Sequence, residues 1–278
     1  MKVQTNETQP TAVAATPIQA GEATPPRDPW WWVERGVWTE RMLTRLTASE
    51  PANRVWFSLM DKTYSPANRR RACDKVWSNG GSAGADGQTV AHFARHAETE
   101  IQRLHEQLRA GSYRPQPVKR AWIAKPGSKE KRPLGIPAVR DRIVQGALRH
   151  VLEPIFEGDF AAHSYGFRPG RGAKDALRRV DTLLQAGHHW VVDADLKSYF
   201  DTIPHDRLLA LVKARVADGR VLALVESFLR AGVLEAAKGW RPTECGTPQG
   251  GVISPLLANL YLNPLDHPMA GQGWERVR

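Results

Sequence analysis

Cysteine is scarce in this sequence: among 278 residues there are only Cys73 and Cys245, far apart in the chain. They form no Cys-x-x-Cys pair, so the sequence predicts neither a disulfide framework nor a zinc ribbon. No apolar run approaches the roughly 20 residues that a membrane-spanning helix needs. The N-terminus also lacks the apolar segment of a secretory signal. These absences predict a cytoplasmic protein in a reducing compartment.

Large apolar side chains are nearly absent from residues 1–29, which are rich in Ala, Thr, Gln and Pro. Such a segment buries too little surface to offset its ordering entropy, so we predict a disordered tail. The whole chain is 41% apolar and 8% aromatic, which is enough for a core. We predict an N-terminal helical region at residues 30–110 and a second region at residues 111–278.

The net charge of +10 is concentrated in one stretch. Between Arg103 and Arg149, twelve lysines and arginines stand against three acids, which leaves +9 in that stretch. A localised basic face suits a phosphate backbone, because each cation that neutralises a phosphate releases a condensed counterion. The stretch therefore favours a nucleic-acid partner. The alternative is a solvated basic surface.

Most of the chain has apolar residues at steps of three or four, which predicts helices. The expected helices lie near residues 38–46, 55–60 behind Ser49 and Pro51, 73–77 behind Ser65 and Pro66, 90–108 ending at Gly111, 143–156, 172–187, 206–216 and 221–229, and after Ser254. In the helix at 172–187, we expect the apolar residues to point inward: Ala176, Leu177, Val180 and Leu184.

Two segments differ from this helical pattern. Residues 118–136 alternate towards a period of two around a polar loop, which predicts a basic hairpin. The run 190–196 is apolar and too short for a helix, so we predict a buried strand. The predicted fold class is α+β, helix-rich with a small antiparallel sheet.

Two carboxylates lie in the predicted buried strand. On a strand, Asp193 and Asp195 share one face. Buried acids require a cationic partner, and Mg²⁺ is a natural one because it prefers oxygen ligands. Local chemistry leaves an alternative open, in which one acid pairs with a lysine and Asp201 caps the next helix.

The run from Asp195 to Ile203 resembles the first carboxylate motif of bacterial group II intron reverse transcriptases. Further blocks match that family in its order: Gly84-Ala85-Asp86-Gly87, then residues 131–137, 163–172 and 246–255. The resemblance covers roughly residues 70 to 265. It implies a right-hand polymerase, with fingers built from residues 30–110 and the basic hairpin, and a partial palm around the strand that ends at Asp195.

The resemblance also implies roles for single residues. Asp195 would be catalytic and would hold Mg²⁺ together with the Leu196 carbonyl. The nucleotide would be contacted by Lys125, Arg132, Ser198, Tyr199, Phe200 and Gln249, with the Phe200 ring excluding a ribose 2′-hydroxyl. The template or primer would be contacted by Arg168, Pro248 and Gly250. Without the resemblance, Lys125 and Arg132 would be surface cations, Phe200 a core residue and Gln249 a turn residue.

The family places its other carboxylates in a Tyr-Ala-Asp-Asp hairpin after the Pro-Gln-Gly block. Here residues 274–278 resemble the approach to that hairpin, and the sequence contains no Asp-Asp pair. Two-metal phosphoryl transfer requires several carboxylates. We therefore expect a polymerase truncated before its second catalytic motif and inactive alone.

The implied function is that of an RNA-directed DNA polymerase and intron maturase, whose partners are group II intron RNA, a DNA primer or template and deoxynucleoside triphosphates. A non-catalytic intron-RNA-binding remnant is the main alternative. A metal-dependent phosphohydrolase built on Asp193 and Asp195 is a weaker one. His92 and His96 have the spacing of zinc ligands on a helix, but the sequence offers no evident third ligand.

Overall fold

The computed structural model describes residues 28–47, 54–124, 127 and 129–278, with the backbone alone at residue 270. The predicted tail, apart from residues 28 and 29, lies outside these residues, as do Ser49, Pro51 and Lys125. The chain divides into a unit that ends at Trp31 and a unit formed by Trp32–Arg278. In the described part of the first unit, the Trp31 N–H donates to the Asp28 oxygen at 3.0 Å, closing a turn. The second unit carries the fold described below.

The described residues form helices and four short strands. In chain order they are α1 (Glu40–Thr47), α2 (Met60–Thr63), α3 (Pro66–Asn79), α4 (Val90–Arg95), α5 (Ala97–Ala110), β1 (Val118–Ala124), β2 (Lys131–Ile136), α6 (Val139–Glu157), α7 (Ala173–Gln185), α8 (Tyr199–Thr202), α9 (His205–Lys213), α10 (Gly219–Leu229), β3 (Val233–Glu235), β4 (Gly239–Arg241) and α11 (Ser254–Gly271). None of the described helices is both long and apolar enough to cross a bilayer.

The core is organised around α6, in which 15 of 19 residues are buried. Its apolar residues recur on nearly every side, because α3, α2, α5 and α11 pack around it. Leu148 and Leu152 are fully buried there, and burying one leucine side chain contributes about 2 kcal/mol. The Trp38 indole N–H donates to the His150 backbone oxygen at 3.0 Å, which ties the segment before α1 to α6.

Local sequence signals set several helix ends as predicted. The Ser65 hydroxyl accepts from the Asn68 N–H, and Pro66 begins α3. Gly111 ends α5 in the left-handed conformation, with φ of 71°. The helix predicted over residues 90–108 is two helices, α4 and α5, which meet at His96. Glu98 and Glu100 lie in the first turn of α5, where acids favour a helix start.

The helix predicted at residues 55–60 is wrong over most of its length. Trp56 instead forms a bridge with Val216: its N–H donates to the Arg215 oxygen at 2.8 Å, and its oxygen accepts from the Ala217 N–H at 2.9 Å. These bonds to distant residues replace the local bonds of a helix. The helix α2 begins only at Met60.

The basic hairpin is confirmed. Strands β1 and β2 pair antiparallel from Lys119 opposite Ile136 to Ala124 opposite Lys131. The sheet is mixed rather than antiparallel, in the order β2-β1-β3-β4, because β1 pairs parallel with β3. The hairpin of β3 and β4 thereby extends the sheet on the far side of β1.

Two predictions about burial are wrong. Residues 190–196 form no strand and are exposed, with Trp190 95% exposed. The helix α7 forms where predicted, yet none of its residues is buried, and Leu177 is 67% exposed. A run of β-forming residues becomes a strand only beside a partner that takes up its backbone groups, and the described sheet lies elsewhere in the chain.

Candidate active site

The Pro-Gln-Gly turn contacts the basic hairpin through the backbone. The Gly135 N–H donates to the Gln249 oxygen at 2.6 Å. Gly250 has φ of 111°, and a Cβ on it would lie 2.4 Å from the Gly135 oxygen. A Cβ on Gly135 would meet the Pro248 Cβ at 3.2 Å. Glycine at these two positions lets the turn and β2 approach each other closely.

Helix α6 also contacts the Pro-Gln-Gly turn, through the side chain of Gln145. The Gln145 Oε1 atom accepts from the Val252 N–H at 2.8 Å and from the Ile253 N–H at 3.4 Å. The Ser254 hydroxyl donates to the Pro248 oxygen at 2.8 Å. Gln145 and Ser254 are both buried. The turn therefore has a fixed position relative to the core helix.

A third block joins the turn at Phe200. The Thr247 N–H donates to the Phe200 oxygen, and the Gly246 N–H donates to the Ile203 oxygen, both at 2.7 Å. The His205 ring lies 2.7 Å from the Gly246 oxygen through Nε2. The structure thus brings Phe200, Pro248, Gln249 and Gly250 together beside β2.

Ser198 and Tyr199 lie at the N-terminus of α8. Ser198 has φ of 52°, a left-handed conformation that few residues other than glycine adopt. The Tyr199 hydroxyl donates to the Ala258 oxygen at 2.7 Å, and burial raises the pKa of Tyr199. The hydroxyl of Tyr199 is therefore anchored to α11, while the chain turns sharply at Ser198.

The carboxylates Asp193 and Asp195 lie in the exposed segment before that turn, together with Leu196. Because this segment is not a strand, its alternating residues do not line a sheet face. Among the residues that the structure describes, no three or more His, Cys, Asp or Glu side chains form a metal-holding group.

Arg132 lies on β2 opposite Ile123 and is exposed. Its predicted companion Lys125 lies outside the described residues. Other cations of the basic stretch are used inside the chain. Arg142 is buried and donates to the Pro137 oxygen at 2.9 Å, while Arg149 pairs with Glu153 at 2.6 Å. The hairpin itself carries the exposed cations Lys119, Lys131 and Arg132.

Arg168 is buried in a closed network. Its guanidinium lies 2.7 Å from a Glu157 carboxylate oxygen and donates to the Ala161 and Ser164 backbone oxygens at 2.7 and 2.9 Å. The charged group also lies over the Phe160 ring. Each of its three nitrogens donates within the chain. Arg168 thus holds the loop after α6, and its contact with template or primer stays a prediction.

The C-terminal segment runs beside this loop. The Arg278 N–H donates to the His163 oxygen at 3.1 Å, and the Tyr165 N–H donates to the Arg278 oxygen at 2.6 Å. The Asp266 carboxylate is fully buried and pairs with Arg276 and, at 2.7 Å, with Arg278. Residues 275–278 are therefore positioned by a buried charge cluster that the sequence pattern did not predict.

The acid that sequence reasoning missed near the turn is Asp141, at the start of α6. It accepts from the Tyr113 hydroxyl at 2.5 Å and from the Gln116 N–H at 2.9 Å. Burial raises its pKa to about 6, although these hydrogen bonds and Arg140 oppose the shift. The available signal was a single acid in the first turn of a long apolar helix. Asp141 fixes the segment that leads into β1.

The Gly84 block also belongs to this region. A Cβ on Gly84 would lie 2.5 Å from the Ala138 Cα, so this glycine allows the loop before α4 to touch the link between β2 and α6. Four of the motif blocks quoted from the sequence therefore meet: the Gly84 block, the hairpin, the Phe200 block and the Pro-Gln-Gly turn.

Comparison with known proteins identifies the family of this chain. The family model described as reverse transcriptase (RNA-dependent DNA polymerase) matches residues 123–274, more than half of the chain. Protein YkfC of Escherichia coli (strain K12) is 39% identical over 233 residues, 82% of this chain and 60% of that protein. The group II intron-encoded protein LtrA of Lactococcus lactis subsp. cremoris is 41% identical over 197 residues, 70% of this chain and 32% of that protein.

A solved structure shows the fold independently. A chain of a partial Cas6-RT-Cas1-Cas2 complex aligns with a TM-score of 0.54 at 24% identity, over 80% of this chain and 36% of that one. The predicted fold class is confirmed, with a mixed sheet. The chain spans from about a third to about three fifths of the length of the curated relatives named above. The chain belongs to the reverse transcriptase (RNA-dependent DNA polymerase) family and resembles its group II intron members.

Proposed function

We propose that this chain supplies the fingers and part of the palm of a group II intron reverse transcriptase and maturase, which copies RNA into DNA. The observation that carries the proposal is the meeting of the hairpin, the Phe200 block and the Pro-Gln-Gly turn through the backbone contacts of Gln249 and Thr247. Such a junction fixes residues from distant parts of the sequence around one substrate.

A deoxynucleoside triphosphate would bind at this junction. Arg132 offers a planar fork of donors for phosphate oxygens, and Lys125 would add a point charge. Phe200, on the turn side of the junction, would lie against the sugar and disfavour a 2′-hydroxyl. Gln249 would contact the nucleotide from the turn, with Ser198 and Tyr199 shaping the approach to Phe200.

The template and primer would pass the same junction. Pro248 and Gly250 lie on either side of Gln249 and would contact the nucleic acid through the turn. Arg168 would act on the template or primer by holding the loop after α6, since its donors are used within the chain. The neighbouring segment 275–278 is hydrogen-bonded to that loop through Arg278, so the loop would also hold this part of the palm in place.

Asp195 and the Leu196 carbonyl would contribute ligands to Mg²⁺, which in this chemistry activates the primer hydroxyl and stabilises the leaving pyrophosphate. The described residues do not present the remaining carboxylates, and no Asp-Asp pair occurs in the sequence. We therefore propose that the chain alone does not polymerise.

We also propose a cytoplasmic location, because the free cysteines Cys73 and Cys245 fit a reducing compartment.

Primer extension on an RNA template tests the proposal, with Asp195→Ala as the control and RNA binding measured in parallel. We expect no Asp195-dependent extension and RNA binding that weakens with salt and with neutralisation of Lys119 and Arg132. Absence of RNA binding would overturn the proposed function. Extension that Asp195→Ala abolishes would overturn the inactivity of the isolated chain.

The exposed cations of the hairpin also fit a second candidate, a non-catalytic module that binds intron RNA. The two candidates differ in nucleotide binding. Weaker binding of a deoxynucleoside triphosphate by Arg132→Ala supports the polymerase, whereas RNA binding without any nucleotide binding supports the module. Nucleolytic cleavage that needs Asp193 and Asp195 but not Arg132 would instead indicate a phosphohydrolase.

A further inference from the structure

One row of side chains crosses the whole four-stranded sheet. Lys119 of β1 lies opposite Ile136 of β2 on one side and opposite Leu234 of β3 on the other, and Leu234 lies opposite Trp240 of β4. Directly opposed residues point to the same face of a sheet. Because neighbouring strands lie about 4.8 Å apart, the row is about 14 Å long.

The same face continues along the hairpin. Alternation along β1 and β2 adds Ala121 opposite Leu134 and Ile123 opposite Arg132. We name this surface the Trp240 face, and it consists of Lys119, Ala121, Ile123, Arg132, Leu134, Ile136, Leu234 and Trp240. All eight residues are half-buried or exposed, whereas Val118 and Gly135 on the opposite face are buried. The Trp240 face is therefore accessible along its whole length.

The Trp240 side chain, on the edge strand β4, is held in place although the residue is 57% exposed. Its indole N–H donates to the Ala231 oxygen at 3.4 Å. A Cβ on Gly232 would lie 2.5 Å from that indole nitrogen, so the glycine lets the ring lie against the backbone. An aromatic ring that is both held and exposed loses little entropy when a flat ligand stacks on it.

The charge on this face has one sign. Its charged members are Lys119 and Arg132, both exposed. The nearby acid Glu235 belongs to the opposite face, where its carboxylate lies 3.8 Å from the Arg120 guanidinium. Basic groups beside an exposed aromatic ring and apolar side chains match the chemistry of a nucleic-acid strand with unpaired bases.

We propose that the Trp240 face binds an unpaired stretch of nucleic acid, with Trp240 stacking on a base at one edge and Lys119 contacting a phosphate. The proposal rests on the proposed function and extends it, because it places a nucleic-acid contact on the hairpin of β3 and β4, on the far side of β1 from the Pro-Gln-Gly turn. Base stacking does not depend on sequence, so this contact is sequence-tolerant.

The test measures the affinity of the full chain for a short fluorescein-labelled single strand by anisotropy, with RNA and DNA of one sequence as separate arms. Trp122→Ala is the matched control, because Trp122 is 56% exposed and lies on the opposite face of the same sheet. We expect Trp240→Ala to raise the Kd about tenfold and Trp240→Phe to retain most of the affinity. Trp122→Ala should change the Kd less than twofold.

The outcomes separate the two proposals. A wild-type chain that binds neither strand overturns the proposed function and this face together. A wild-type chain that binds, with Trp240→Ala unchanged or matched by Trp122→Ala, overturns the Trp240 face alone. An equal loss of affinity for a blunt duplex would also overturn it, since paired bases cannot stack on Trp240. Thermal unfolding of each variant verifies that the fold is retained, and Trp240→Phe keeps the test valid if Trp240→Ala unfolds.

Discussion

The backbone N–H of Gly135 and the backbone oxygen of Gln249 form a hydrogen bond of 2.6 Å that joins the hairpin to the Pro-Gln-Gly turn. Gly250, next to Gln249, leaves no room for a side chain against the Gly135 oxygen. The junction of the candidate active site therefore depends on two glycines, one on each partner.

Gly250→Ala should displace the turn from β2. The new Cβ would meet the Gly135 oxygen at 2.4 Å, in addition to the strain of φ at 111°. We expect the free energy of unfolding to fall by about 2 to 4 kcal/mol. Gly187→Ala is the control, because Gly187 has φ of 93° with open space around it. Urea denaturation of both variants measures the difference, and equal losses would show that the close approach contributes nothing.

Gln145→Leu should loosen the turn from α6. It leaves the Val252 and Ile253 N–H groups without the acceptor that they share, and an unsatisfied buried donor costs about 1 to 3 kcal/mol. Hydrogen exchange of the peptide that contains residues 248–254 should become faster. Gln145→Glu retains an acceptor and should preserve more protection than Gln145→Leu. Unchanged exchange in both variants would contradict the role of Gln145.

Substitutions in the segment 190–196 should have little effect on stability. Trp190→Ala and Val192→Ala remove exposed side chains, so we expect changes within about 0.5 kcal/mol. Leu148→Ala removes a fully buried side chain of α6 and should cost about 2 to 5 kcal/mol. Thermal unfolding compares the three variants. A large loss for Trp190→Ala would mean that this segment is buried in the folded protein.

Asp141 should make the protein less stable as pH rises through its folded-state pKa. That pKa is about 6, above the ordinary value of 3.8, because burial disfavours the charged form. Protonated Asp141 therefore stabilises the folded state fully below about pH 4. This stabilisation is lost as pH rises through about 6, which lowers the free energy of unfolding by an amount on the order of 3 kcal/mol. Asp141→Asn should remove this dependence in urea denaturation performed across pH 4 to 7. An unchanged pH profile would contradict the assignment.

His150 should make the protein less stable as pH falls, in contrast to Asp141. Burial, with Arg149 and Arg71, lowers its pKa from 6.5 to about 4, and its Nδ1 lies 2.8 Å from the Asn68 Oδ1. The neutral ring is therefore favoured in the folded state, and stability is lost as pH falls from about 6.5 through about 4. His150→Gln should reduce that acid sensitivity. If His150→Gln and the wild-type protein lose stability equally over this range, the ring is not held neutral.

Local signals accounted for much of the fold. The start of α3 follows from Ser65 and Pro66, and the end of α5 follows from Gly111, because these residues act on the adjacent backbone. The hairpin of β1 and β2 follows from its alternation around a polar loop. The motif blocks predicted which residues would gather, and the structure brings Phe200, Gln249 and the hairpin together.

The sequence by itself determined the family, most of the helices, the basic hairpin and the glycines of the turn, because these depend on local backbone preferences and on side-chain order. Only the tertiary structure decided that residues 190–196 are exposed, that β1 pairs with β3, and that Gln145 and Asp141 position the site. The physical reason is that burial and strand pairing require a partner distant in sequence. A pattern shows that a segment has an apolar side, but not what covers it.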